Sequence, residues 1–188
     1  MSEYNNNEII EIVEYTPRWA TTYQQEKELI NSVLNQELLD IQHIGSTSVP
    51  GLGAKPIIDI LIALQGLGTA EKYCTQLQAL GYEHVSHTED AERLFFRKGT
   101  PRTHHLHIVE HGSWTYWRHI LFRDYLLAHP EIAQQYEQLK REMALRFKAD
   151  RVAYTESKAE LVQSIVAQAL TEADRLPIKN CGTLIGSG

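Results

Sequence analysis

Cysteine is scarce in this sequence. Cys74 and Cys181 are the two in 188 residues. One falls in a predicted helix and the other in the tail, which argues against a disulfide framework or a cysteine zinc site and fits a reducing cytoplasm. Long apolar runs are missing too: none approaches the roughly 18 residues that a membrane helix needs. The opening residues 1–8 show neither the basic nor the apolar region of a secretory signal, and they read as a flexible lead. Positive charge is in deficit, with 18 Lys and Arg against 24 Asp and Glu and a formal net charge of −6. That argues against a general nucleic-acid binder but is compatible with a locally basic cleft. There is no Gly-x-Ser-x-Gly elbow, no Walker loop and no internal repeat. The length and the 43% hydrophobic content suit one globular domain with a proper core.

What the sequence does have is histidine, nine in all, four of them between His104 and His111. It also has one unusual stretch, from His43 to Ile62. A strand ending at Ile44 stops at Gly45-Ser46. A small-residue loop follows, with Pro50 and Pro56 stiffening two turns, and then an apolar run from Ile57 to Ile62 that contains a single carboxylate, Asp59. A charge in an apolar run is costly without a partner or a metal. A Gly-Ser turn offers N–H groups and hydroxyls to a phosphate.

The remaining pattern is mixed in front and helical behind. Ile9–Tyr15 reads as a β-branched strand, and Thr16-Pro17 as the start of a helix reaching about Asn35. Strands follow at 38–44, 57–62, 82–85, 93–97 and 105–109, with a helix capped by Thr69 and closed by Gly81. After Ser113 come a helix with Trp114, Trp117, Leu121 and Tyr125 on a core face, a second helix started by Pro130, and a last helix capped by Thr155. Residues 173–188 lack periodicity and read as a flexible tail. This predicts an α+β domain over 9–172: one sheet with helices packed on one side, and a helical C-terminal part.

Strand alternation places Asp59 with Ile57 and Leu61 on one face, and Ile58, Ile60 and Ile62 on the other, core, face. Asp59 is either a metal ligand or a strand-end carboxylate capping backbone. His105 and His107 share a strand face and His104 points away. With Asp59 and His43 they would make a mixed set suited to zinc, manganese or iron; otherwise they are polar residues of an edge strand. Gly45, Ser46, Thr47, Ser48 and Lys55 are candidates to hold phosphates. Arg97 and Arg123 join them if their elements share the sheet; the alternative is a solvated charged face, with Arg123 paired to Asp124. Lys140 is expected on the outer face of its helix, and Lys158, near the start of the last helix, either in solvent or in contact with phosphate.

The stretch His43–Ile60 resembles the hallmark of the GrpB-like family, within the nucleotidyltransferase fold superfamily. Arg93–His107, Trp117–Leu126 with His129-Pro130, and Tyr154–Lys158 carry the same resemblance, which spans roughly 9–170. It implies a nucleotidyltransferase-like mixed β-sheet. It implies a nucleoside triphosphate or related phosphorylated small molecule as partner, a divalent metal (magnesium, manganese or zinc) as cofactor, and nucleotidyl transfer to an unidentified acceptor; the sequence leaves monomer and homodimer both open. Some members are fused to dephospho-coenzyme A kinase. In the superfamily two carboxylates one residue apart bind two magnesium ions. Asp59 matches one of them, Ile57 and Leu61 flank it without an acid, and His105 or His107 stands where a later-strand carboxylate is expected. A non-catalytic nucleotide- or coenzyme-binding module and a metal-dependent phosphohydrolase are the alternatives.

Overall fold

A computed structural model describes residues 9–34, 37–86 and 91–175. The segments expected to be a flexible lead and tail, 1–8 and 176–188, lie outside the described residues, whereas 173–175 continue the last helix. Five strands, β1 (Leu38–Ile44), β2 (Ile58–Leu64), β3 (Tyr82–Val85), β4 (Arg93–Lys98) and β5 (His104–Glu110), form one sheet in the order β1-β2-β5-β4-β3. β2 and β5 run parallel and the other neighbours antiparallel. The helices are α1 (Arg18–Leu34), α2 (Ala70–Ala79), α3 (Trp114–Ala128), α4 (Pro130–Phe147), α5 (Arg151–Glu156) and α6 (Ala159–Arg175). The α+β architecture expected from the sequence is present. Among the described residues no helix is long and apolar enough to cross a membrane.

Helices cover both faces of the sheet, not one. Ile60, Ile62, Leu106 and Ile108 pack against Trp19, Ile30 and Leu34 of α1 and Tyr73 and Leu77 of α2. On the other face Ile44, Leu61, Ala63 and Val109 meet Tyr116, Trp117 and Ile120 of α3. A strand buried on both sides is apolar on both sides, which is why β2 reads as a continuous run instead of an alternation. Behind α3, its Tyr125 and Leu126 join Ala133 and Tyr136 of α4 and Ile165 and Ala169 of α6.

Three local expectations change. Residues 9–15 do not enter the sheet. Val13 makes one antiparallel bridge with Ala54, and the Ile10 N–H donates to the Lys148 carbonyl, so the β-branched run is spent on a loop and on α4. Thr155 caps nothing: it lies inside α5 with its hydroxyl on the Arg151 carbonyl, and Asp150 is the cap, its carboxylate accepting from the Ala153 N–H at 3.0 Å. Trp114 is 48% exposed, and Tyr116 takes the inward place on α3.

Ser113 caps α3 through a 3.2 Å hydrogen bond from the Tyr116 N–H to its Oγ. Replacing it with alanine is expected to cost about 1 kcal/mol, read from urea midpoints at constant m-value.

Candidate functional site

The break at Ile44 sets up the site. Gly45 has φ 69° and ψ −173°, a region open essentially to glycine, and the chain turns there into the short 3-10 turn Ser46–Ser48. A Cβ on Gly45 would lie 2.5 Å from Asp59 Oδ2, so the absence of a side chain lets the turn settle directly against the carboxylate of β2. The Ser48 hydroxyl closes the turn on the Gly45 carbonyl at 2.6 Å. Thr47 is anchored from behind. Its Oγ1 donates to the Ile57 carbonyl at 3.3 Å and lies 3.0 Å from His43 Nε2.

β2 and β5 being parallel neighbours, Asp59 stands beside His105 and Leu61 beside His107. His105 Nδ1 is 3.0 Å from Asp59 Oδ1, and His107 Nε2 is 3.8 Å from it. His107 Nδ1 faces a guanidinium nitrogen of Arg93 at 3.0 Å. A guanidinium only donates, so His107 Nδ1 accepts and its hydrogen sits on Nε2, toward Asp59. Burial holds His107 below the usual histidine range and therefore neutral. Burial alone would push the Asp59 carboxyl up. The hydrogen bonds from His105 and His107 more than offset this and hold it well below the usual carboxylate range. Asp59 is thus an ionised carboxylate steadied by two imidazoles.

The space in front of Asp59 is a cavity of about 290 Å³. Gly45, Ser46, Thr47, Lys55, Asp59 and His105 line it, all of them candidates from the sequence. Ala54 and Ile57 of the loop before β2 also line it, and the helical side supplies Phe122 of α3, Tyr136 and Lys140 of α4, Tyr154 and Thr155 of α5, and Lys158 just before α6. His43 lies on the opposite sheet face from Asp59, stacked on Tyr23 at 4.7 Å, and burial pushes it down to about 4. Ser48, Arg97 and Arg123 are not among the lining residues. Arg97 stands beside His105 across β4 and β5, and Arg123 is engaged with Gln42, the His43 carbonyl and Asp124.

The lysines are where the structure departs most from expectation. Lys140, placed by the sequence on an outer helix face, is 2% exposed. Lys158, for which solvent and phosphate contact are both open from the sequence, is 9% exposed. Lys140 Nζ donates to the Gly53 carbonyl and sits 4.8 Å from the Tyr136 ring centre. Lys158 Nζ is 3.4 Å from the Tyr154 ring centre, and Lys55 Nζ 5.1 Å from the same ring. Cation–π contacts of this kind are what keep an ammonium tolerable out of water. Burial pushes both Lys140 and Lys158 down to about 7, helped by the charge of Lys55 on both, of Arg141 on Lys140 and of Lys140 on Lys158, with Glu137 pulling Lys140 and Asp59 pulling Lys158 the other way. A signal was present: Ala133, Tyr136, Lys140 and Ala144 are the buried stripe of α4, at helical spacing, with a lysine in it.

Among the described residues, no three of His, Cys, Asp and Glu come together as a metal-ligand set. Asp59 is the single carboxylate lining the cavity, and Leu61, one alternation further along β2, is fully buried in the core beneath α3. The donor set therefore suits one oxygen-preferring ion such as Mg²⁺ or Mn²⁺ on Asp59, with phosphate oxygens and water as its other ligands. It does not suit a histidine zinc site or a two-metal pair.

The family model described as GrpB protein matches residues 9–168. UPF0157 protein YqkA of Bacillus subtilis is 40% identical over 82% of this chain, which spans 46% of that relative's length. The glutamate-rich protein GrpB of Alkalihalophilus pseudofirmus is 37% identical over 86% of this chain and 96% of its own. Among solved structures, the crystal structure of the conserved protein GrpB from Enterococcus faecalis matches with a TM-score of 0.79 at 33% identity, covering 87% of this chain and 99% of that one.

Proposed function

Because the chain belongs to the GrpB family, we propose that it binds a nucleoside triphosphate or a related phosphorylated small molecule, with the phosphates in the cavity between the Gly45-Ser46 turn and α4–α6. The observation that carries this reading is the convergence of Lys55, Lys140 and Lys158 on one small cavity whose wall holds a single carboxylate. Two buried lysines and a half-buried third beside one acid are an unfavourable arrangement for folding alone. An anion relieves it. Ser46 adds a hydroxyl at the same wall.

Nucleotidyl transfer is the second reading, favoured by Asp59. It stays ionised, is held by His105, and faces the phosphate turn. An ion on Asp59 would supply neutralisation of the charge on the reacting phosphate. This chain's own residues would orient the phosphate chain and keep pyrophosphate on the lysines as it leaves. One carboxylate supports a single-ion arrangement, so the binding role stands first.

Thermal-shift titration with ATP separates the two. In metal-free buffer, Asp59→Asn is expected to strengthen ATP binding several-fold, because it removes the one negative group facing the phosphates. With magnesium, the transfer reading predicts tighter ATP binding by wild type and no such gain in Asp59→Asn. If ATP stabilises neither protein under either condition, the proposal fails.

The lysines also give binding a pH dependence. In the free protein Lys140 and Lys158 lose their protons around pH 7, and a bound phosphate holds those protons on. Affinity for ATP is therefore expected to fall by about tenfold or more per lysine between pH 7 and pH 8.5, with net proton uptake on binding. Calorimetry in buffers of different ionisation enthalpy measures both. A pH-independent affinity would rule the lysines out as the phosphate ligands.

A further inference from the structure

Resting on the phosphate-binding reading, we infer that the site recognises the phosphate chain alone, so that a bare inorganic polyphosphate and nucleoside triphosphates of any base are equivalent ligands. Size is the first argument. At about 290 Å³ the cavity is just below the roughly 300–1,000 Å³ of pockets that enclose a whole drug-sized ligand. A phosphate chain fits such a volume, and a chain together with ribose and base does not.

The second argument is that the aromatic walls are already in use. A base-binding pocket needs an open ring face. Tyr154 is 1% exposed, with the Lys158 and Lys55 ammonium groups over its ring. Tyr136 is buried, with Lys140 over its face and Phe122 edge-on to it at 5.3 Å. These two rings seat the lysines, so neither tyrosine offers a base the face that an ammonium already covers. The third argument is the lining itself. Among the described residues it contains no Asn or Gln, the side chains that read a base edge with a paired donor and acceptor. Its polar groups are the ammoniums, the hydroxyls, and the Asp59 carboxylate and His105 imidazole, which are bonded to each other at 3.0 Å.

The test is calorimetric titration of the whole chain with inorganic tripolyphosphate, ATP, GTP, CTP and UTP in the same metal-free buffer, for wild type and for Lys158→Met. Five affinities within about threefold of one another, all weakened by a similar factor in Lys158→Met, are the expected result. One nucleotide binding at least tenfold tighter than tripolyphosphate would overturn the inference while leaving the phosphate site in place. If none of the five binds wild type, the phosphate-binding reading falls as well. If they bind and Lys158→Met changes nothing, that too counts against both.

Discussion

Replacing Lys140 and Lys158 together by methionine is expected to lower the affinity for ATP at pH 7 at least a hundredfold while the chain stays folded. A hydrogen bond to a charged group is worth about 1.5–3 kcal/mol, and two such contacts to phosphate exceed a factor of a hundred even at the lower figure. Methionine is one atom shorter but keeps the unbranched apolar stem of each side chain, so most of the space beside Tyr136 and Tyr154 stays filled. A second readout separates loss of function from loss of fold. Both lysines have depressed values in the folded state, about 7 against about 10.5 in the unfolded chain. Between those values the unfolded state holds protons that the folded state does not, so wild-type stability rises with pH from 7 toward 10.5 and is flat with respect to these groups below 7. The double variant should lose that rise. Equal ATP affinity in the two proteins, measured by calorimetry with circular dichroism as the folding control, would show that phosphates do not bind here.

Substituting Gly45 by alanine is expected to cost about 3 kcal/mol of stability. The backbone conformation at φ 69° and ψ −173° carries a penalty on the order of 1–3 kcal/mol for a residue with a Cβ. In addition the new methyl would lie 2.5 Å from Asp59 Oδ2 and 3.1 Å from its Cβ, so the carboxylate must move off the hydrogen bond with His105. Gly51 is the control. It has φ +81° but open space where a Cβ would go, so alanine there pays for the backbone alone. Urea denaturation of both variants should show Gly45→Ala lower by about 1 kcal/mol or more. Equal losses would mean that the contact between the turn and Asp59 has no energetic weight.

How much of this was legible in the sequence depends on the range of the signal. The strands, the helix stops at Gly81 and Pro130, the turn at Gly45-Ser46 and the placement of Asp59, His105 and His107 on one face follow from local periodicity and turn chemistry, and these elements are present. Residues 9–15 have the composition of a strand, but a strand needs a partner edge, and here the neighbours are a loop and α4. The burial of Lys140 and Lys158 is illegible for the same reason. A lysine on a helix is most often solvated, and what buries these two is the docking of α4–α6 over the Gly45 turn, a long-range event with no mark at either residue alone. Glu26 shows the converse. It sits in the buried stripe of α1, and its partner Lys98, at 2.8 Å, is 72 residues away. Buried charges announce themselves in sequence only when their helical register is followed through polar positions as well as apolar ones.

The central claim is that phosphates sit between the Gly45-Ser46 turn and the three lysines. A crystal structure of the chain grown with ATP tests it most directly. The account predicts phosphate oxygens within hydrogen-bonding distance of the Lys55, Lys140 and Lys158 Nζ atoms, Lys140 released from the Gly53 carbonyl, and the base outside the cavity. ATP bound elsewhere, with Lys140 still on Gly53 and Lys158 still over Tyr154, would contradict it.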